Sequence, residues 1–199
     1  MSDVEARIQA PLGQLTWHAE LAWWQSQPIA ISLFDGATAS IVLDAEGEDP
    51  FAPFADDVLA AARVFLALRE SDRAEIEPHV WQEYTDIRDV IGEDCPEIAR
   101  ADIWKNVDLN GVHIERRIKD DLVYVSIECN CEWEPEHGMQ LVLQHGSRWV
   151  RVSDYSGHLT EGDSFACEAL DAWMSDPAAK LPVRSREETY ALLGKHKRG

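Results

Sequence analysis

Lysine is absent from the first hundred residues, where six arginines face twenty acidic side chains. Such a stretch repels phosphate backbones, so no nucleic-acid partner is expected. No run approaches the roughly 18 apolar residues that a membrane-spanning helix needs, so no membrane association is expected either. The opening MSDVEARIQAP carries acids and no apolar segment, which is unlike a signal peptide and makes the cytoplasm the expected compartment. Cysteine is scarce: Cys95, Cys129, Cys131 and Cys167 form no disulfide framework and are expected to stay reduced there. Phosphate-binding glycine loops, the dinucleotide fingerprint, the His-Glu-x-x-His zinc motif and the Gly-x-Ser-x-Gly elbow are all missing, and no cofactor is expected.

Apolar residues are plentiful. At 45% of 199 residues, with eight tryptophans, they suffice for a substantial core and exclude a disordered chain. The formal net charge is −19, and it is uneven, because Lys180 to Gly199 carries six basic residues against Glu187 and Glu188. An acidic body of this kind attracts a basic protein or a divalent cation, although acidic surfaces also serve solubility alone.

Hydrophobic periodicity orders the chain into strands, then helices, then strands. Leu15, Trp17, Ala19, Leu21 and Trp23 alternate with polar residues as in a half-buried strand. Short strands follow at Ile29 to Leu33 and Ala39 to Leu43, with Asp35-Gly36 as a hairpin signal between them. The adjacent Trp23 and Trp24 fall on opposite strand faces, so one indole is a candidate contact residue. Residues 49–92 read as two helices with apolar stripes through Phe54, Val58, Leu59, Ala62, Phe65 and Leu66, and through Ile76, Val80, Trp81, Tyr84, Ile87, Val90 and Ile91. Pro78 is expected to kink the second helix or to mark its start. A strand pair turning at Asn110-Gly111 is expected next, then a meander over residues 123–153. Asp163 is a candidate cap for a short helix running through Ala169 and Trp173, and Ser185 with Glu188 forms a capping-box pattern for a last helix over Arg186 to Leu193.

The expected fold class is α+β, with antiparallel meanders flanking a central helical pair and the helices packed on one sheet face. One domain over residues 12–175 is expected, with a division near 92–102 as the alternative. Residues 176–199 read as a basic C-terminal tail holding a short helix.

The segment from Leu122 to Thr160 holds the most chemistry. Strand parity puts Cys129, Cys131 and Trp133 on the apolar face, which favours packing over metal ligation; Cys95 and Cys167 offer no second ligand pair. An up-down-up meander would bring its first and third connections to one end of the sheet, gathering Glu134, Glu136, His137, Asp154 and His158. Two imidazoles and three carboxylates can hold a divalent cation or act as acid and base. The same residues can also serve the turns, with Gly138 and Gly157 allowing positive φ and carboxylates capping exposed amides.

The run Cys129, Cys131, Trp133, Glu134, Glu136, His137 and Gly138, followed by Gly157, His158 and Thr160, resembles the hallmark of an uncharacterised bacterial domain family. Met139 stands where that family more usually has Leu. The resemblance implies no known activity, and only loosely an immunity-type role in neutralising toxins. Three function classes follow. The first is a non-catalytic module binding a basic protein partner. The second is a divalent-metal-dependent enzyme built on Glu136, His137 and His158. The third is a purely structural subunit or homo-oligomer.

Overall fold

The computed structural model describes residues 7–45 and 49–196. Residues 1–6, part of the stretch read against a signal peptide, and the last three of the basic tail lie outside the described residues.

In chain order the elements are β1 (Arg7–Gln9), β2 (Gly13–His18), β3 (Trp23–Ser26), β4 (Ile29–Ile31), β5 (Ala37–Ala39) and β6 (Ile41–Asp44). The helices α1 (Asp56–Ala67) and α2 (Arg73–Ile91) follow, then β7 (Val107–Arg117), β8 (Leu122–Cys131), β9 (Met139–Gln144) and β10 (Arg148–Asp154). The chain continues through α3 (Glu161–Ser164), a 3₁₀ segment at Glu168–Ser175 and α4 (Arg186–His196). Eight strands form one sheet in the order β1-β2-β3-β6-β7-β8-β9-β10, while β4 and β5 form a separate ribbon. The fold is α+β. Strands β6 and β7 are parallel, with Ile41 opposite Val112 and Leu43 opposite Ile114. Parallel neighbours need a long crossover, and here the connection carries both α1 and α2.

By its internal contacts the chain forms two compact units, each built from three stretches. Unit 1 holds the described residues up to Asp72, Leu109–Glu128 and Leu143–Arg148; unit 2 holds Arg73–Asp108, Cys129–Val142 and the chain from Trp149 onward. The division near 92–102, the alternative to a single domain over 12–175, would fall inside the first stretch of unit 2.

In unit 1, Leu15, Trp24, Leu43, Ala62 and Phe65 are buried. The Trp24 indole N–H donates to the Pro50 carbonyl at 2.6 Å, which satisfies its one polar atom. Trp24 is therefore a core residue, and Trp23 is half-buried, packed edge-on to His113 at 5.8 Å. The alternation from Leu15 to Trp23 belongs to two strands rather than one. The chain reverses through Ala22 at φ 53°, and β2 pairs antiparallel with β3, Trp17 opposite Trp24.

The two hairpin dipeptides part ways. Asp35 and Gly36 both take positive φ, 55° and 79°, and β4 pairs antiparallel with β5 around them. Asn110-Gly111 makes no turn, because β7 runs through it without positive φ at either residue. The reversal comes later, at Asp121, whose φ is 58°.

In unit 2, α2 runs unbroken past Pro78 from Arg73 and buries Ile76, Val80, Tyr84 and Ile87, while Trp81 is half-buried and Val90 and Ile91 at the C-terminal end of the stripe are exposed. Tyr84 meets the buried Trp133 edge-on at 5.7 Å, while its hydroxyl donates to the Pro96 carbonyl and accepts from the Ile98 amide, both at 3.0 Å. Cys129 and Cys131 are buried beside them, and all four cysteines are free thiols. Thr160, rather than Asp163, caps α3: its hydroxyl accepts from the Asp163 amide at 3.2 Å. The capping box before α4 is formed. The Ser185 amide donates to Glu188 Oε2 at 2.9 Å, and the Glu188 amide donates to the Ser185 hydroxyl at 3.2 Å.

The β9–β10 turn places His145 and Gly146 at φ 52° and 80°. A Cβ on Gly146 would collide with the Ala61 carbonyl oxygen of α1, so glycine is required for close approach as well as for conformation. Gly36 has the same sign of φ but open space around it. Gly146→Ala is therefore expected to cost about 2 kcal/mol or more, combining strain with overpacking. Gly36→Ala should cost only about 1 kcal/mol, from strain alone. Urea denaturation of the two variants separates these contributions, and equal losses would contradict the close approach.

Candidate functional site

The loops that follow β8 and β10 adjoin, since the Tyr155 amide donates to the Gly138 carbonyl at 3.2 Å. Within the first loop, Glu134 Oε1 accepts from the His137 amide and lies 3.3 Å from its Nδ1. Glu134 is half-buried, whereas Glu136, His137 and His158 are exposed. His158 contributes its backbone: its carbonyl accepts from Arg151. A Cβ on Gly138, at φ 69°, would collide with the Cys129 carbonyl oxygen, which ties this loop tightly to β8. Among the described residues no group of three or more histidine, cysteine, aspartate or glutamate side chains is placed to hold a metal ion. Glu134 and His137 thus stand together, while Asp154 lines a different feature.

That feature is a cleft of ≈ 320 Å³ in unit 2, lined by residues that include Glu83 and Asp86 of α2, Asp154 of β10, Glu161 of α3, Arg184, and Arg186 of α4. Its frame is Arg151, only 2% exposed. A guanidinium has five N–H donors. Nε donates to Glu161 Oε2 at 3.2 Å, and Nη1 to Gln140 Oε1 at 2.6 Å and the His158 carbonyl at 3.1 Å. Nη2 donates to the Ser156 and Ser164 hydroxyls at 3.0 and 3.4 Å. Every donor has an acceptor, so Arg151 holds the site together and has nothing left for a ligand.

Glu83 is the opposite case. It is buried, and its Oε1 has no hydrogen-bond partner among the described residues. The nearest cation, Arg186 Nη2, stands 3.8 Å away, beyond hydrogen-bonding range. Burial pushes the Glu83 carboxyl up to about 7, against the pull of Arg186 and with the added push of Asp154, Asp86 and Glu161. Glu161 is also raised, chiefly by burial. One helical turn before Glu83, outside this cleft, His79 Nε2 meets the Leu181 carbonyl at 2.9 Å, so this nitrogen carries the proton. Burial lowers the pKa of His79.

Sequence reading missed Glu83, Glu161, Arg151, Arg184 and Arg186. A signal existed for two of them. Glu83 sits on the α2 stripe at the spacing 76, 80, 83, 87, an acid where an apolar residue belongs; Arg151 occupies the inward register of β10 between Trp149 and Ser153.

Unit 1 carries a second cleft, of ≈ 300 Å³, beside the 87%-exposed Ile118. Pro53, Val58 and Ile114 supply its apolar wall, with Asp44, Glu115, Arg116 and Asp121 around them. Arg116 is committed, bonding both Asp57 oxygens at 2.7 Å and the Asp121 carbonyl at 2.7 Å. This pairing lowers the Asp57 pKa and raises that of Arg116. Asp44 and Glu128 flank His113 at 3.5 and 3.4 Å. Burial disfavours the imidazolium, but these two carboxylates and Glu115 outweigh it, so the His113 pKa rises.

The chain belongs to the family described as a domain of unknown function, DUF6985, whose model matches residues 11–159. No curated protein and no solved structure matches the chain.

Glu83 makes stability depend on pH. Its folded-state pKa lies above the unfolded value of 4.5, so the unfolded state ionises first. Below about pH 4.5 both states are protonated; between there and about 7 stability falls as the buried acid holds a proton that the unfolded chain has released. Glu83→Gln should remove this loss, so that near pH 8 the variant gains on the order of 3 kcal/mol relative to its difference from wild type at acid pH. Chemical denaturation across the pH range measures it. Parallel pH profiles for the two proteins would show that Glu83 ionises as in water.

Proposed function

We propose that the protein is a non-catalytic cytoplasmic binding module of a bacterial family, engaging a basic protein partner as immunity-type neutralisers do. The observation that carries this reading is the unit 1 cleft: an apolar wall and the solvent-exposed Ile118 within an acidic rim. A lysine or arginine of the partner can lay its aliphatic stem on Val58 and Ile114 while its head meets the carboxylates. Arg116 does not compete, since Asp57 and Asp121 already hold it. The net charge of −19 favours encounter with a cationic surface. Among the described residues no helix is long and apolar enough to cross a membrane, which accords with a partner reached from water. In this reading the run from Cys129 to Gly138 is a structural signature: it fills the unit 2 core and closes the loop after β8.

Capture from the source cell at low and high salt tests the reading, with Ile118→Ser as the paired control. Wild-type protein should retain a basic protein whose association slows as ionic strength rises above about 0.1 M, where charges are screened beyond about 10 Å. Ile118→Ser should weaken that complex about tenfold with its folding intact, as a contact residue lying in solvent would. Retention unaffected by Ile118→Ser would move the partner off this surface. Stoichiometric metal in the purified protein, with hydrolytic activity abolished by His137→Ala and no basic partner, would replace the binding module by the metal-dependent enzyme built on Glu136, His137 and His158.

A further inference from the structure

The unit 2 cleft has bonding capacity of both signs left over. Glu83 Oε1 has no hydrogen-bond partner among the described residues, and the half-buried Asp154 lines the same cavity. On the cationic side, the Arg184 side chain spends one N–H on the Leu170 carbonyl at 3.2 Å, and the Arg186 guanidinium makes only its 3.8 Å approach to Glu83. The backbone amide of Arg186 is what anchors it, donating to Asp86 Oδ2 at 2.8 Å. An unpaired buried carboxylate and two underused guanidiniums, side by side, are costly to an empty structural core and complementary to a ligand.

We infer that this cleft binds a small zwitterion of the α-amino-acid class, its ammonium on Glu83 and Asp154 and its carboxylate on Arg184 and Arg186. An α-amino acid carries both charges on one carbon, so its partners must be adjacent, as Glu83 and Arg186 are. A simple cation fits less well, because the two arginines repel it. A simple anion fits less well, because Glu83, Asp154 and Glu161 do. The volume of ≈ 320 Å³ sits at the lower end of ligand cavities, which suits a molecule of few heavy atoms. Arg151 cannot substitute for the outer arginines, all five of its donors being engaged. The ammonium requires Glu83 ionised, so binding strengthens as the pH rises through the range in which Glu83 titrates. The titratable and charged groups around Glu83 are Asp86 from its own helix, the Cys131 thiol from β8, Asp154 and Arg151 from β10, Glu161 from α3, and Arg184 and Arg186 from the C-terminal segment.

Calorimetric titration of the full chain with L-alanine, propionate and ethylamine tests the inference, since propionate is alanine without its ammonium group and ethylamine is alanine without its carboxylate. L-alanine should bind saturably with a dissociation constant of about millimolar, and the other two at least about tenfold more weakly. Glu83→Gln and Arg186→Gln should each weaken L-alanine about tenfold or more. Glu83→Gln should keep its cooperative unfolding at neutral pH, and the part-exposed Arg186 gives an independent variant should Glu83→Gln disturb the core. Affinity for L-alanine should rise between about pH 6 and pH 8. No saturable binding up to about 10 mM, equal binding of all three probes, or indifference to both substitutions would overturn the inference. So would an affinity that rises toward acid pH, which would mean a protonated Glu83 donating to an anion.

Discussion

Unit 2 is organised by the requirement that one buried positive charge be fully hydrogen-bonded. Taking a guanidinium out of water costs several kcal/mol even after relaxation, and only complete pairing offsets it. Arg151 meets that condition with acceptors from β9, from the loop after β10 and from α3. Apart from Gln140 of β9, each acceptor belongs to a loop or to the single turn of α3, where the arginine supplies the order that hydrogen-bond ladders supply in the sheet. The loop from Ser156 to His158 and the single turn of α3 are fixed relative to β10 by this one side chain. Glu161 inherits its position from it, while Asp154 stands at the end of β10, and the two carboxylates share the wall of the cleft.

Glu83 answers the same physics in the opposite way. Its carboxyl is buried without a hydrogen bond to that oxygen, and the protein responds by shifting its proton equilibrium to about 7 rather than by recruiting a donor. Buried charge is handled completely at Arg151 and incompletely at Glu83, a few residues of packing apart within one unit. Such a contrast separates a group that maintains a fold from one that the fold keeps available.

Much of the architecture was legible from local chemistry. The capping box of Ser185 and Glu188 and the apolar stripe of α2 follow from short-range rules that tertiary contacts only reinforce. The paired dipeptides show where such rules stop. Asp35-Gly36 and Asn110-Gly111 have the same turn propensity, yet only the first adopts the left-handed pair, because Asn110-Gly111 lies within the eleven-residue strand β7. Pairing with β6 and β8 along that strand outweighs a local preference worth about 1 kcal/mol. The parallel β6–β7 neighbourhood was equally invisible, since nothing in either segment encodes which way its distant partner runs. For the sites, strand order pointed to the loops after β8 and β10, which adjoin through Tyr155 and Gly138, and Asp154 lines a cavity. The residues beside it were hidden for a simple reason. A single acid in an apolar helical stripe, or a single arginine in an inward strand register, is averaged away when a pattern is read for its period.

The interleaving of the two units has a consequence for synthesis. Neither unit is a contiguous stretch: the last segment of unit 1, Leu143–Arg148, lies beyond two segments of unit 2 in the chain. A ribosome releases the chain from its N-terminus, so the early strands and α1 emerge long before the β9–β10 turn whose Gly146 seats against α1. Until then Ala61, Ala62 and Phe65 present an apolar face with no cover from that turn. The nascent protein therefore passes through a long interval with its first unit incomplete, when its density of negative charge, and the mutual repulsion this creates between neighbouring chains, guards it against self-association.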